Sequence, residues 1–205
     1  MAARAWEGLP GDGSERGIGK PGGATSREEN REMTRSISLF ILLGVGWQAG
    51  AADVDEYTVK AAYIYNFAKF VEWPAEAFHG PADPISICIV GQNPFGRKLR
   101  DAVEGKLVSS RRFALRYVLD VGQAGGCHVV FVASSERDRF GPILEDLKAN
   151  GILTVGDTPG FAKQGGVLNF KLAGSTVRME VNLDAARQKN LQISAKLLAL
   201  AQIVQ

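Results

Sequence analysis

The stretch CHVVFVASSERDRFGPILEDLKANGILTV, residues 127–155, decides the fold class. Its first seven residues form a nearly continuous apolar run, as expected of a central strand covered on both faces. Ser135 then opens a helix, with Asp138 three residues later in a weak form of the capping-box pattern. Phe140, Ile143, Leu144 and Leu147 make the buried side of that helix. Asn150-Gly151 ends it, and ILTV at 152–155 is a second strand. Strands alternating with helices imply a mainly parallel sheet.

Working outward, ISICIV at 85–90 reads as another strand, closed by Gly91, and 95–103 as a helix. Residues 113–118 alternate Phe113, Leu115 and Tyr117 against Ala114 and Arg116, the pattern of a half-buried strand. Residues 53–72 read as a helix with Val59, Tyr63, Phe67 and Phe70 on one face. Trp73-Pro74 stops it, because proline disfavours the helical conformation in the residue before it. Downstream comes a loop at 156–166. A hairpin follows, its strands at 167–172 and 176–183 joined by Ala173-Gly174-Ser175. A last helix at 194–204 carries Ile193, Leu197, Leu200, Ala201 and Val204 on one side. No internal repeat is visible. The predicted fold is α/β: a three-layer sandwich of a mainly parallel sheet, helices on both faces, and an antiparallel edge hairpin.

The chain has 205 residues, 45% of them apolar and 22% charged, which fits a globular protein and excludes a disordered chain or a polytopic membrane protein. Lys and Arg total 24 against 22 Asp and Glu, so the basic excess expected of a nucleic-acid binder is missing. Two cysteines and two histidines are too few for the usual four-ligand zinc cluster, and no metal is expected.

Residues 1–32 hold seven glycines and two prolines with no apolar period, and read as an unstructured extension or a start-codon artefact. Residues 33–51 read as a secretory signal peptide. Arg35 supplies a short basic region, 37–45 is an apolar run too short to span a membrane, and Ala49-Gly50-Ala51 is a small-residue cleavage pattern. Cleavage near Ala51 leaves a single domain at 52–205 in the periplasm. The other reading of 33–51 is an N-terminal anchor that stays in the membrane.

Candidate chemistry is sparse. Gly91–Gly96 follows a strand and precedes a helix, but lacks Gly-Lys-Ser/Thr and G-x-G-x-x-G, and reads as a plain turn. Ser134-Ser135 lacks a surrounding G-x-S-x-G and reads as a cap. His128 sits in an apolar strand as a core histidine, and His79 has no partner at metal spacing. No catalytic residue and no cofactor is expected. Export places Cys88 and Cys127, in two predicted strands, in an oxidising compartment. If the strands are neighbours a disulfide could close a loop of about 40 residues, worth roughly 4 kcal/mol. The other reading is two buried thiols.

Two segments invite a binding role. KAAYIYNFAKFVEWP, 60–74, is dense in aromatics, and Tyr65, Asn66, Phe70 and Trp73 are candidates for a partner surface. In VRMEVNL, Arg178, Glu180 and Asn182 point to one side of their strand. That side is a solvated face, or a small-ligand or partner site.

These segments resemble the YfiR family in order and spacing: KAAYIYNFAKFVEWP, ISICIVGQNPFG, GCHVVFVASSE, ILTVGDTPGFAKQGGVLNF and VRMEVNLDAARQKNLQISAKLLALA, together covering residues 57–203. The resemblance implies an exported periplasmic protein of compact α/β fold and no catalytic activity. It further implies a homodimer that represses an inner-membrane diguanylate cyclase or similar sensor and is relieved by an OmpA-like lipoprotein. Carried over by position, Cys88 and Cys127 match a strand-to-strand disulfide of the family, and Arg178 and Glu180 match the R-x-E-x-N end of its hairpin, a region that meets partners and small molecules. A second disulfide of the family's best-known member, in the region of the GGVLNF strand, has no counterpart, because 161–170 contains no cysteine; that loop must be held by packing. A periplasmic small-molecule binding module, with its ligand between the strand ends and the hairpin, is the competing function.

Overall fold

The structure, a computed structural model, describes residues 55–205. The extension at 1–32 and the signal peptide expected at 33–51 lie outside the described residues. In chain order the elements are α1 (Glu56–Phe70), β1 (Val71–Glu72), β2 (Ile85–Val90), α2 (Lys98–Val103), β3 (Phe113–Val118), β4 (Val129–Val132), α3 (Phe140–Asp146), β5 (Leu153–Gly156), β6 (Leu168–Ala173), β7 (Thr176–Asn182), α4 (Leu183–Gln188), β8 (Gln192–Ile193), α5 (Ala195–Leu198) and β9 (Ala201–Val204).

Seven strands form one sheet in the order β3-β2-β4-β5-β6-β7-β9. Every neighbouring pair is parallel except the β6–β7 hairpin. The central strands β4 and β5 are buried along their whole length. Their alternate residues therefore feed two cores. Ile87, Ile89, Val129, Phe131, Leu153 and Val155 pack with Ile64 and Phe67 of α1 and Leu99 of α2. On the opposite face Cys88, Val90, Val130 and Val132 pack with Phe140, Ile143 and Leu144 of α3 and with Phe161. This is the three-layer sandwich expected.

Asp55 caps α1 by accepting from the Thr58 N–H at 2.9 Å. The buried face of α1 is Lys60, Ala61, Ile64, Phe67 and Ala68, so the expected stripe is rotated: Phe67 is wholly buried, while Val59, Tyr63 and Phe70 are only half-buried. Small Ala61 and Ala68 let the helix sit close to the sheet. Past α1, β1 pairs antiparallel with β8, joining the helix end to the chain before α5.

Two expected helices come out differently. The segment opening at Ser135 begins as a 3-10 turn, Ser134–Arg139, and becomes α-helical only at Phe140, ending at Asp146. Pro142 explains the late start: it lacks an N–H, and its ring excludes an α-helical carbonyl four residues earlier. Ser135 caps nothing of its own, since its Oγ accepts from the Gln92 N–H at 3.0 Å. The last helix, expected over 194–204, is a single turn, α5, followed by β9 running parallel to β7. A short apolar run fits either period, and the open edge of β7 offered backbone partners that a surface helix would have left unused. The hairpin thus stands at that end of the sheet with β9 added outside it.

Gly91 ends β2 with φ +89°, and a Cβ there would lie 2.5 Å from Ser135 Oγ. The turn after β2 is internally closed: Asn93 Oδ1 accepts from the Phe95 N–H at 2.9 Å. The loop at 157–167 is held by Phe161. That ring is fully buried, edge-on to Phe140 at 5.1 Å, and fills the space a Cβ of Gly166 would need.

Cys88 and Cys127 are joined, and β2 and β4 are indeed neighbours. His128, next in the chain, is a core histidine. The Ser86 N–H donates to its Nδ1 at 3.1 Å, so Nε2 carries the proton and donates to Ala77 O at 2.8 Å. Its ring stacks on Phe78 at 4.2 Å, and Arg111 lies over Phe78. Burial holds the His128 pKa below its ordinary value.

Replacing both cysteines by serine is expected to cost about 4 kcal/mol, on the order of 10 °C in thermal midpoint by calorimetry. A variant that melts with the parent would show that the bond constrains nothing. His128 gives a pH dependence. Its folded pKa is depressed, so the stability it contributes is present above the ordinary value of about 6.5 and is lost as pH falls below that value toward the folded pKa. Urea midpoints should therefore drop between about pH 7 and pH 5.5, and the slope should shrink in His128→Asn.

Candidate functional site

The β5 strand stops at Gly156 while β6 continues, and β5 pairs only with Leu168 and Asn169. Beyond the end of β5 the side of β6 is therefore open, and a cleft of about 470 Å³ forms there. This is the carboxyl end of a parallel strand, where α/β folds commonly bind ligands. Its walls come from α1, the loop after β5 and the hairpin.

Asp157, the first residue past β5, is turned inward, with a side chain only 2% exposed. Lys60 of α1 meets it: Nζ lies 2.8 Å from Asp157 Oδ2, and the Lys60 side chain is 3% exposed. Glu56, one turn back, also pairs with Lys60. The Tyr57 hydroxyl donates to the same Asp157 oxygen at 3.0 Å. Burial raises the Tyr57 pKa and the Asp157 carboxylate adds to the shift, so the hydroxyl stays a donor. Lys60 Nζ also lies over the Tyr57 ring, 4.4 Å from its centroid. A buried cation held by two carboxylates and an aromatic face is compensated, as burial of charge demands.

The hairpin supplies a second polar group. Asn169 Nδ2 donates to Glu180 Oε2 at 3.1 Å, and Lys171 pairs with the other Glu180 oxygen at 3.6 Å. Asp157 Oδ1 and Asn169 Oδ1 are buried with no hydrogen-bond partner among the described residues. Three carboxylates, Glu56, Asp157 and Glu180, and three ammonium groups, Lys60, Lys163 and Lys171, line the cleft, leaving it formally neutral. Phe170 and Leu172 give it an apolar wall. Such a cavity has the size and mixed polarity to seat a small molecule. Among the described residues no group of three or more His, Cys, Asp or Glu could hold a metal.

The residues singled out from sequence fall in different places. Glu180 is buried at the cleft, whereas Arg178 is exposed on the same strand. Asn182 is buried and used structurally, donating to Ala162 O at 2.8 Å and capping α4 through the Ala185 N–H. Tyr65, Asn66, Phe70 and Trp73 are all half-buried. Tyr65 packs on Phe113 at 5.8 Å beneath Lys106 and Lys69, and Trp73 Nε1 donates to His128 O at 3.3 Å. Ser135 and His128 are both committed to backbone groups and lie on different elements. Lys189, its pKa pulled down to about 8 by burial, donates to Leu147 O and anchors the end of α4.

Sequence reading missed Tyr57, Lys60, Asp157 and Asn169. Two signals were there. Lys60 stands in helical register with Ile64, Phe67 and Val71, so a charge sits on the buried face. Asp157 comes two residues after the apolar strand ILTV, at the point where parallel sheets place ligand-binding side chains.

A family profile matches residues 57–202, nearly all that the structure describes. The chain belongs to the YfiR/HmsC-like family. No curated protein sequence matches it. Among solved structures it is similar to a conserved domain protein from Vibrio cholerae O1 biovar El Tor, at 12% identity and a TM-score of 0.47. That match covers 73% of this chain and spans 60% of the Vibrio protein. A YfiR-like family and an intramolecular disulfide fit a periplasmic protein, and no described helix is long and apolar enough to cross a membrane.

The Lys60–Asp157 pair can be weighed by mutation. Lys60→Met should destabilise this YfiR-like domain by about 3 kcal/mol, because it strands a buried carboxylate. Lys60→Met with Asp157→Asn should recover part of the loss, as read by urea denaturation. Equal stability for the single variant and the parent would mean that Asp157 is not held charged in the fold.

Proposed function

We propose that this YfiR-like protein is an exported, non-enzymatic regulator. In the periplasm it binds an inner-membrane signalling enzyme, a diguanylate cyclase, and represses it, as a homodimer whose hold is released by an OmpA-like lipoprotein. The observation that carries the reading is the family match across residues 57–202. The Cys88–Cys127 bond supports the oxidising compartment. The contact surface is the half-buried row of Tyr65, Asn66, Phe70 and Trp73, with Arg178 and Glu180 of the hairpin as a second contact. Half-buried aromatics suit a partner face, being large and already partly ordered.

Deleting the gene should raise cyclic di-GMP in the parent cell, and the wild-type chain should restore it. A chain carrying Asn66→Arg should not, while keeping its thermal midpoint. An unchanged nucleotide level in the deletion strain would remove the cyclase from the proposal. A second reading, a periplasmic small-molecule binding module, is favoured by one observation: the formally neutral cleft lined by Asp157, Asn169, Phe170 and Glu180. A thermal-shift screen of polar metabolites tests it. A true ligand at 100 times its dissociation constant adds about 2.7 kcal/mol, and that gain should vanish in Asn169→Leu.

A further inference from the structure

The modest net charge hides an uneven distribution. Residues 97–116 carry seven cations, Arg97, Lys98, Arg100, Lys106, Arg111, Arg112 and Arg116, against two carboxylates, Asp101 and Glu104. The rest of 52–205 is acidic, with eleven cations against fourteen carboxylates. The basic segment is α2, the turn after it, and β3, which is the outermost strand of the sheet. Arg100, Lys106 and Arg112 are exposed and pair with no carboxylate among the described residues.

Beside these cations the apolar cover is incomplete. Phe113, Leu115 and Tyr117 face the same side as Ile85, Ile87 and Ile89, their partners in register. The β2 residues are fully buried, but Phe113 and Leu115 are half-buried and Tyr117 is 47% exposed. Leu107, 56% exposed, lies next to them. Leu107, Phe113 and Leu115 line a groove of about 410 Å³ together with three cations, Arg100, Lys106 and Arg112, and one carboxylate, Glu104.

The backbone of the same strand is also unfinished. The Ile85 N–H donates to Arg112 O at 2.8 Å, with Ile85 opposite Phe113. In a parallel ladder of that register the backbone groups of Phe113, Leu115 and Tyr117 point away from β2. No hydrogen bond reaches those three N–H groups from any other described residue. Edge strands in proteins are usually blunted by proline, a bulge or a covering element. No proline falls within β3, and the strand runs in unbroken register with β2 over six residues.

We propose that the outer edge of β3 is a docking site for an acidic, extended segment of a protein partner, added as an eighth strand. Its main chain pairs with Phe113, Leu115 and Tyr117. Its apolar side chains fill the groove, and its carboxylates meet Arg100, Lys106 and Arg112. Strand addition of this kind takes affinity from the backbone and selectivity from alternate side chains. The cationic rim selects against basic segments and speeds encounter with acidic ones. The inference is independent of which enzyme is regulated.

The test uses the full chain with a fluorescein-labelled peptide of alternating Glu and Val, its Lys-Val counterpart, and phosphatidylglycerol vesicles. The Glu-Val peptide should bind, weaken as salt rises, and slow hydrogen exchange at the Phe113, Leu115 and Tyr117 amides. The charge-reversed variant R100E/K106E/R112E should bind it about tenfold more weakly while melting with the parent. Leu115→Pro, which removes an outward N–H and spares the β2 ladder, should also weaken it. Absence of binding up to about 1 mM peptide, equal binding of the Lys-Val peptide, or protection elsewhere on the sheet overturns the proposal. Capture by the vesicles without peptide binding overturns it too, and assigns the patch to a lipid surface.

Discussion

Burial of β4 and β5 on both faces is the constraint from which the remaining architecture follows. A parallel strand with two apolar faces is stable only between two layers, and each layer must be delivered by a crossover. Here α1 and α2 close one face, and α3 with Phe161 closes the other. The disulfide joins β2 to the approach of β4 on the second face, and His128 secures the start of β4 to the loop at Ala77. The backbone ladder, the disulfide and the Ser86–His128 hydrogen bond together fix β2 against β4. Openness is found at the β3 edge and at the β5–β6 junction.

That openness takes two chemically different forms. At the β5–β6 junction the strands differ in length, and the gap is filled by charge: Lys60, Asp157 and their partners replace the packing that a longer β5 would have supplied. Two buried oxygens left without donors in such a place are costly, since an unmet polar group loses its hydration without return. A fold optimised for stability alone would put apolar side chains there. At β3, by contrast, nothing is buried at a loss. The strand simply lacks an outer neighbour, and its half-covered aromatics and the cations beside them remain in water.

Much of the scaffold was legible because its signals are local. CHVVFVA and ILTV are too apolar for any but a central strand, and the alternation of Phe113, Leu115 and Tyr117 gave the half-covered edge directly. The errors came where tertiary pairing or a single residue overrode a period. The run from Ile193 to Val204 satisfies a helical stripe, yet β7 had an edge to fill and took Ala201–Val204 as a strand. The site was less legible still. Glu180 was found because alternation in a strand gives facing, but its exposure could not be read without knowing that Asn169 lies opposite. The Lys60–Asp157 pair joins residues 97 apart, and no spacing rule connects them.

The cleft and the basic edge are separated by β2, β4 and β5, roughly 19 Å of stiff parallel sheet at about 4.8 Å per strand. Strands buried at native packing density resist deformation over that distance. Helix α1 offers a different connection. Tyr57 and Lys60 stand in the cleft, and Tyr65, less than two turns on, packs against Phe113 of the edge strand under Lys106. Between these two ends Ile64 and Phe67 are fully buried and key the helix into the sheet. Filling the cleft and loosening the hold of Asp157 on Lys60 would therefore act on the element that also carries Tyr65.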